Sequence, residues 1–322
     1  MDRRTWLAGS ALAALHPAAW TAGYPARAVK LVVGAPAGGP GDFLARLYGR
    51  TMAAALGQPF VVENKPGASG TLAAEMVARA PADGHTLLVS GPAPISAAPH
   101  LLKPSYDPST DLLPVSMLGS GAFVLAVHPA VRASNVRELA DLARAQPGRL
   151  SYGSGGNASS SHLCTELFSS ALQVRMNHVP YKGEGQAVSD LLSGQIQLMF
   201  TAPNVALRHA RAGTLRLLAC TSGERMRSLP QLPTVAESGV PGFEYLAWQA
   251  VFAPANTPRA HVETLAAAWN RVRTVPGVQG PLDELGMASP DRLASGSALA
   301  AFLQAETERL GQVIRHAGIK AE

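Results

Sequence analysis

Charge is scarce in this sequence. Only 15% of its 322 residues are Asp, Glu, Lys or Arg, and the 27 basic ones are spread out without a run. A net charge of +5 then gives a weak attraction to anions and no nucleic-acid surface. Cysteine is nearly absent: Cys164 and Cys220 stand far apart, with no Cys-x-x-Cys spacing to hold a metal. Two separate buried thiols are expected, with a disulfide as the alternative that an oxidising compartment permits. There is no Gly-x-Ser-x-Gly elbow and no His-Glu-x-x-His, which removes the commonest hydrolase and metalloprotease signatures. Long hydrophobic runs are missing as well; the apolar stretch at residues 6–15 is too short to span a bilayer. What remains is 47% apolar residues, enough for a globular chain with a sizeable core.

The N-terminus has the layout of an export signal. Arg3 and Arg4 precede the apolar stretch, and Thr21-Ala22-Gly23 offers small residues for cleavage. Residues 1–23 are expected to be removed near Gly23, leaving a periplasmic protein; the general and twin-arginine routes both remain open.

Strands and helices alternate along the rest. A β-branched strand at residues 29–33 runs into a glycine-rich loop and a helix capped by Asp42, followed by a strand at 60–62. Such βαβ order implies a parallel sheet and a right-handed crossover. Residues 63–70 form a second loop before a helix, and the strand at 86–89 ends in Ser90-Gly91-Pro92. The stretch 115–127 is apolar and extended. Beyond it lies the segment around which the chain is organised, Tyr152-Gly153-Ser154-Gly155-Gly156-Asn157-Ala158-Ser159-Ser160-Ser161-His162. Its glycines turn the backbone, and its serines cap a helix whose unpaired N–H groups attract an anion. Pro180-Tyr181-Lys182-Gly183 repeats the design, and a strand at 196–200 meets Thr201. Residues 248–253 return as a strand, with Trp248 expected at a crossing between lobes. The pattern predicts an α/β protein with doubly wound sheets joined by two crossing strands, and ligand at the carboxyl ends of the strands.

Catalytic readings are weak. His162 and Glu166 share a helix face and could ligate a metal only with a third residue; a capping histidine beside a surface glutamate is the simpler reading. Ser160 with His162 lacks an acid partner. Gly34, Gly38, Gly39 and Gly41 sit between strand and helix as in a dinucleotide fold, but the spacing differs, and Pro36 and Pro40 lack the amides that pyrophosphate needs.

Several ordered motifs resemble the Bug/TctC family of extracytoplasmic solute-binding receptors of tripartite tricarboxylate transporters. They are Pro36-Ala37-Gly38-Gly39-x-x-Asp42, Val62-Glu63-Asn64-Lys65-Pro66-Gly67-Ala68-Ser69-Gly70, Gly156-Asn157-Ala158-Ser159-Ser160-Ser161-His162-Leu163, Val179-Pro180-Tyr181-Lys182-Gly183 and Ala253-Pro254-Ala255-Asn256-Thr257-Pro258. The resemblance implies a two-lobed periplasmic-binding-protein fold of type II. One lobe is expected from residues 24–122 plus 251–322 and the other from 123–250. It implies a receptor and no enzyme, monomeric, without cofactor or metal, that closes on a small organic anion and delivers it to membrane transporter subunits. A ligand sensor for a membrane kinase and, in another class, an exported nucleotide-dependent enzyme are the alternatives. The ligand-facing set implied is Pro36, Ala37, Gly38, Gly39, Asp42 and Gly91 on one side. Gly156, Asn157, Ser159, Ser160, Ser161, His162, Tyr181, Lys182, Gly183 and Thr201 form the other. Gly34-Ala35, residues 92–95 and Thr201-Ala202 depart from the family pattern, so the solute does not carry over. An anion without an amino group is expected, because Asp42 is the only acid in the three loops.

Overall fold

The computed structural model describes residues 23–289 and 294–319. Of the export segment expected over residues 1–23, all but Gly23 lies outside the described residues.

Strand β1 (Val29–Val33) buries every residue except Lys30, as a parallel strand covered on both faces must. Val29, Leu31 and Val33 pack on one side with Leu44, Tyr48 and Trp269, while Val32 points to the other with Ala73, Leu88 and Trp248. Helix α1 (Pro40–Leu56) leads to β2 (Phe60–Asn64), and α2 (Thr71–Ala78) to β3 (Thr86–Ser90). Both strands pair with β1 in parallel. Two short helices, α3 (Ala98–Leu101) and α4 (Pro108–Asp111), precede β4 (Leu112–Ala122). The chain then crosses into β5 (Val124–Val127) and α5 (Val136–Ala145), and continues through β6 (Ser151–Ser154), α6 (Ser160–Leu172) and β7 (Asn177–Pro180). Next come α7 (Glu184–Leu192), β8 (Leu198–Thr201), α8 (Pro203–Arg211) and β9 (Arg216–Cys220). Strand β10 (Leu246–Pro254) crosses back, followed by α9 (Arg259–Val272), α10 (Pro276–Glu284) and α11 (Gly296–Ala317).

The two sheets share one plan. Their strand orders are β2-β1-β3-β10-β4 and β7-β6-β8-β5-β9. In each, the antiparallel member is the strand that has just arrived from the other lobe: β10 lies between β3 and β4, and β5 between β8 and β9. This is the two-lobed arrangement expected from the sequence. The apolar stretch at 115–127 is therefore two strands in different sheets, parted at Phe123.

A single threonine fixes both crossings. The Thr221 N–H donates to the Phe123 carbonyl at 2.9 Å, and its own carbonyl accepts the Tyr245 N–H at 2.8 Å. Its hydroxyl accepts the Phe123 N–H at 2.8 Å and donates to the Tyr245 carbonyl at 2.6 Å. Thr221 is fully buried, and the Phe123 and Tyr245 rings stack beside it. Trp248 is not at this crossing. It lies two residues inside β10, paired with Ser120 and packed edge-on against Phe302. Residues 246–250 likewise pair in the first sheet, so the return crossing falls at Tyr245, ahead of the 250/251 division.

Helix α11 lies across both lobes. Leu299 and Leu303 pack with Trp248 in the first core, and Leu310 and Ile314 with Tyr152, Leu163 and Cys164 in the second. Between them Arg309 grips the buried Glu306 through both carboxylate oxygens and donates to the Glu244 carbonyl. Cys164 and Cys220 are both buried and unpaired, as two separate thiols.

Replacing Thr221 by Val leaves the Phe123 N–H and the Tyr245 carbonyl each without its hydroxyl partner. At about 1–3 kcal/mol for each unsatisfied buried group, urea titration is expected to show a loss of several kcal/mol. Thr221→Ser, which keeps the hydroxyl, is expected to lose far less; equal losses would show that the methyl group matters and the hydrogen bonds do not.

Candidate functional site

The first wall of the cleft begins where β1 ends. Gly39 is the N-cap of α1 and Pro40 its first residue, where a missing N–H costs nothing. Asp42 is not the cap that the sequence suggested. Its buried carboxylate reaches back to accept the Gly38 N–H at 2.9 Å and pairs with Arg46 through both oxygens. The Arg46 hydrogen bond foremost, aided by the Gly38 amide, holds this carboxyl below the ordinary aspartate range. Asn64 ties the same loop down, donating to the Ala35 carbonyl and accepting from Arg46. The Gly39 N–H turns in to the Pro36 carbonyl at 3.4 Å. So the amides of Gly38 and Gly39 are engaged within the loop, and helix geometry leaves those of Gly41 and Asp42 open. Pro36, Ala37 and Gly38 form the exposed outer turn.

Gln249 shares this wall, and the sequence reading did not include it. Its side-chain amide lies between two glycines: a Cβ on Gly91 would stand 2.8 Å from Nε2, and one on Gly41 3.2 Å from Oε1. The signal was a lone polar residue in the otherwise apolar strand β10, Leu-Ala-Trp-Gln-Ala-Val-Phe-Ala-Pro.

The second wall is the loop from β6 into α6. Ser159 caps α6, its hydroxyl accepting the His162 N–H. Gly155 donates to the Ser161 hydroxyl at 3.1 Å, and the Ser159 and Ser161 hydroxyls lie 3.2 Å apart. The open amides here belong to Ser160 and Ser161. His162 turns inward. Its Nδ1 accepts the Ala158 N–H, its ring stacks on His178 at 3.8 Å, and burial foremost pushes its pKa down to about 3. It is therefore a neutral spacer that holds Ala158 at φ +57°. Glu166 accepts the Tyr152 hydroxyl, so it and His162 face different partners. Among the described residues no group of three or more His, Cys, Asp or Glu could hold a metal ion.

The loop before α7 supplies a group that the sequence reading missed. Glu184, the first residue of α7, packs beside Gly155, where a Cβ would stand 3.2 Å from its Cγ. Burial pushes its pKa up to about 7, opposed by the Ser161 hydroxyl. Asp42 is thus not the only acid near the loops, and the argument against an amino group on the solute loses its premise. Tyr181 points along α7, donating to Asp190 at 2.6 Å, while Lys182 is exposed. Gly183 holds φ +132° as the N-cap of α7. Thr201 is fully buried, its hydroxyl without a hydrogen-bond partner among the described residues.

The walls meet. The Ser69 hydroxyl, from the loop before α2, donates to the Asn157 carbonyl of the other lobe at 2.9 Å. Gly70 lies against Gly34, so the three loops of residues 34–39, 67–70 and 155–161 join at one mouth. On the other flank Gly286 abuts Pro203, leaving 2.7 Å from a Cβ to the ring. The lobes touch at both flanks.

The chain matches the family model of the tripartite tricarboxylate transporter family receptor over residues 44–319. It is 36% identical to Protein BugT of Bordetella pertussis over 303 residues, covering 92% of this chain and 91% of that one. Among solved structures it superposes on Rpa4515 of R. palustris with adipate at TM-score 0.81 and 35% identity, over 92% of this chain and 99% of that one. It superposes on MatC of Rhodopseudomonas palustris with bound malate at TM-score 0.81 and 34% identity, over 90% and 100%.

A lowered aspartate pKa stabilises the fold above its ordinary value and ceases to as acid protonates it. Asp42→Asn is therefore expected to lower the melting temperature near pH 7 by roughly 2–5 °C. The gap should close as pH falls through the carboxyl's depressed range; a gap that stays constant would exclude the ion pair as its cause. For Glu184 the sign is opposite, since a raised pKa costs the fold stability progressively as pH climbs from the ordinary glutamate range to about 7. Glu184→Gln is expected to raise the melting temperature above about pH 7 and leave it unchanged near pH 4.

Proposed function

The chain belongs to the tripartite tricarboxylate transporter receptor family, and on that premise we propose that it captures a small carboxylate between its lobes outside the cytoplasmic membrane. The observation that carries this reading is the pairing of two helix starts, one in each lobe. Gly41 and Asp42 open α1, Ser160 and Ser161 open α6, and the Ser69 contact with Asn157 draws their loops to one mouth. Backbone amides at such positions favour an anion, and the folded loops hold them in place, so little ordering accompanies binding. The adipate and malate in the two similar structures support a carboxylate as the solute. Gln249 joins Gly91 in the first wall, and Thr201 offers its unpartnered hydroxyl in the second.

The lobes proposed are residues 24–122 with the segment from 246 onward, and residues 123–245. The family is one of receptors, so the role is capture and delivery and no catalysis. The partners proposed are the membrane subunits of a tripartite transporter, met by a monomer after export directed by residues 1–23. No described helix is long and apolar enough to cross a membrane.

Thermal-shift titration of the purified receptor against C4 to C6 dicarboxylates, monocarboxylates and amino acids tests the reading. A solute at a hundred times its Kd is expected to stabilise the fold by about 2.7 kcal/mol. Silence from every carboxylate would refute it. For a bound carboxylate, Lys182→Ala is expected to weaken affinity by less than about tenfold, because an exposed lysine contributes about 1 kcal/mol or less. Gly91→Ala drives a methyl into Gln249 and the Trp248 carbonyl and is expected to weaken it by more than tenfold. Calorimetry on both variants checks the order.

A further inference from the structure

Glu184 stands where a carboxylate receptor would be expected to keep a neutral group. Its Cγ fills the space that Gly155 leaves open, and Ser159 adjoins the same spot. The Ser161 hydroxyl bonds the Glu184 carboxyl, accepts the Gly155 N–H and lies 3.2 Å from the Ser159 hydroxyl. A solute carboxylate seated on the amides of Ser160 and Ser161 therefore comes up against the carboxyl of Glu184. Two ionised carboxylates in contact repel each other, which favours a proton on one of them.

We infer that Glu184 makes solute capture proton-linked: the receptor takes up one proton as it closes on a carboxylate, and Glu184 carries it. This rests on the carboxylate reading above. Glu184 is the group that accepts the proton because it lies beside Gly155 and burial has already raised its pKa to about 7. Protonated, it donates to the solute; ionised, it repels it. Glu184 is thereby a specificity residue, favouring a hydrogen-bond acceptor at this end of the solute over a cation.

The other titratable groups around it leave it that role. Tyr181, in the same loop, is raised to about 12 and donates to Asp190 on α7. Lys182 is exposed at the loop tip. On α6, His162 is held neutral with its pKa near 3. Behind it on β7, His178 stacks on His162 and lies 2.6 Å from the Ser154 hydroxyl. Tyr152 of β6 donates to Glu166, and β8 presents no titratable side chain. In the opposite lobe the Asp42 carboxylate is paired with Arg46. Substituting Glu184 leaves His178 and its contacts with His162 and Ser154 in place, so the two contributions separate.

Calorimetric titrations with adipate and malate, from about pH 5.5 to 8.5 in two buffers of different ionisation enthalpy, test this on the unmodified receptor and on Glu184→Gln. The unmodified receptor is expected to take up close to one proton per solute above about pH 7, with affinity falling about tenfold for each further pH unit. Glu184→Gln is expected to bind with a flat profile and no uptake. A flat profile in the unmodified receptor, or the same slope in both proteins, overturns the assignment while leaving the carboxylate reading intact. Proton release together with tighter binding of an α-amino acid overturns it by showing an ionised Glu184. If neither protein binds any carboxylate, both readings fall.

Discussion

Four hydrogen bonds at Thr221 hold the two crossings of the chain against each other, and the cleft exists because they do. Phe123 and Tyr245 are the points at which the backbone leaves one sheet for the other. Separately each would be a connection between two domains. Joined through one buried side chain, they become a single axis that sets where the carboxyl ends of β1, β3, β6 and β8 face each other.

The walls of that cleft are built on one economy of charge. Asp42 and Arg46 are formally charged, yet each is engaged with the other, and the carboxylate's remaining capacity shapes the Gly38 turn. His162 carries no charge because burial forbids it. What the proposed site offers a solute is then amide, hydroxyl and carboxamide, groups whose attraction for an anion does not depend on ordering a long flexible side chain. Glu184 is the exception among these groups, a partly buried carboxyl beside Gly155.

Much of this was legible in the sequence. The β-branched run at 29–33, the glycine loops and the helix caps placed the strands, the βαβ units and the loops at the starts of α1 and α6, because those signals are local. The departures are the residues whose partners are distant along the chain. Thr221 bonds across 98 residues to Phe123 and across 24 to Tyr245, and nothing in Cys-Thr-Ser announces it. Asp42 looked like a cap because caps sit where it sits; only the fold shows it turned back on Gly38. Trp248 looked like a hinge because it follows a long loop, whereas β10 had begun two residues earlier. Gln249 was visible as an odd polar residue in an apolar strand, and Glu184 lay one position past the loop that drew attention.

A backbone axis fixes the line about which two bodies turn but gives them no preferred angle. Helix α11 supplies one. Leu299 and Leu303 are packed into the first core, Leu310 and Ile314 into the second, and the Glu306 and Arg309 pair lies between them over the Tyr245 ring. Any rotation about the axis must shear one of these contacts or carry the helix along with one lobe. The angle between the lobes is therefore written in side-chain volume on α11, on a different element from the loops at the starts of α1 and α6, and can evolve without altering any of them.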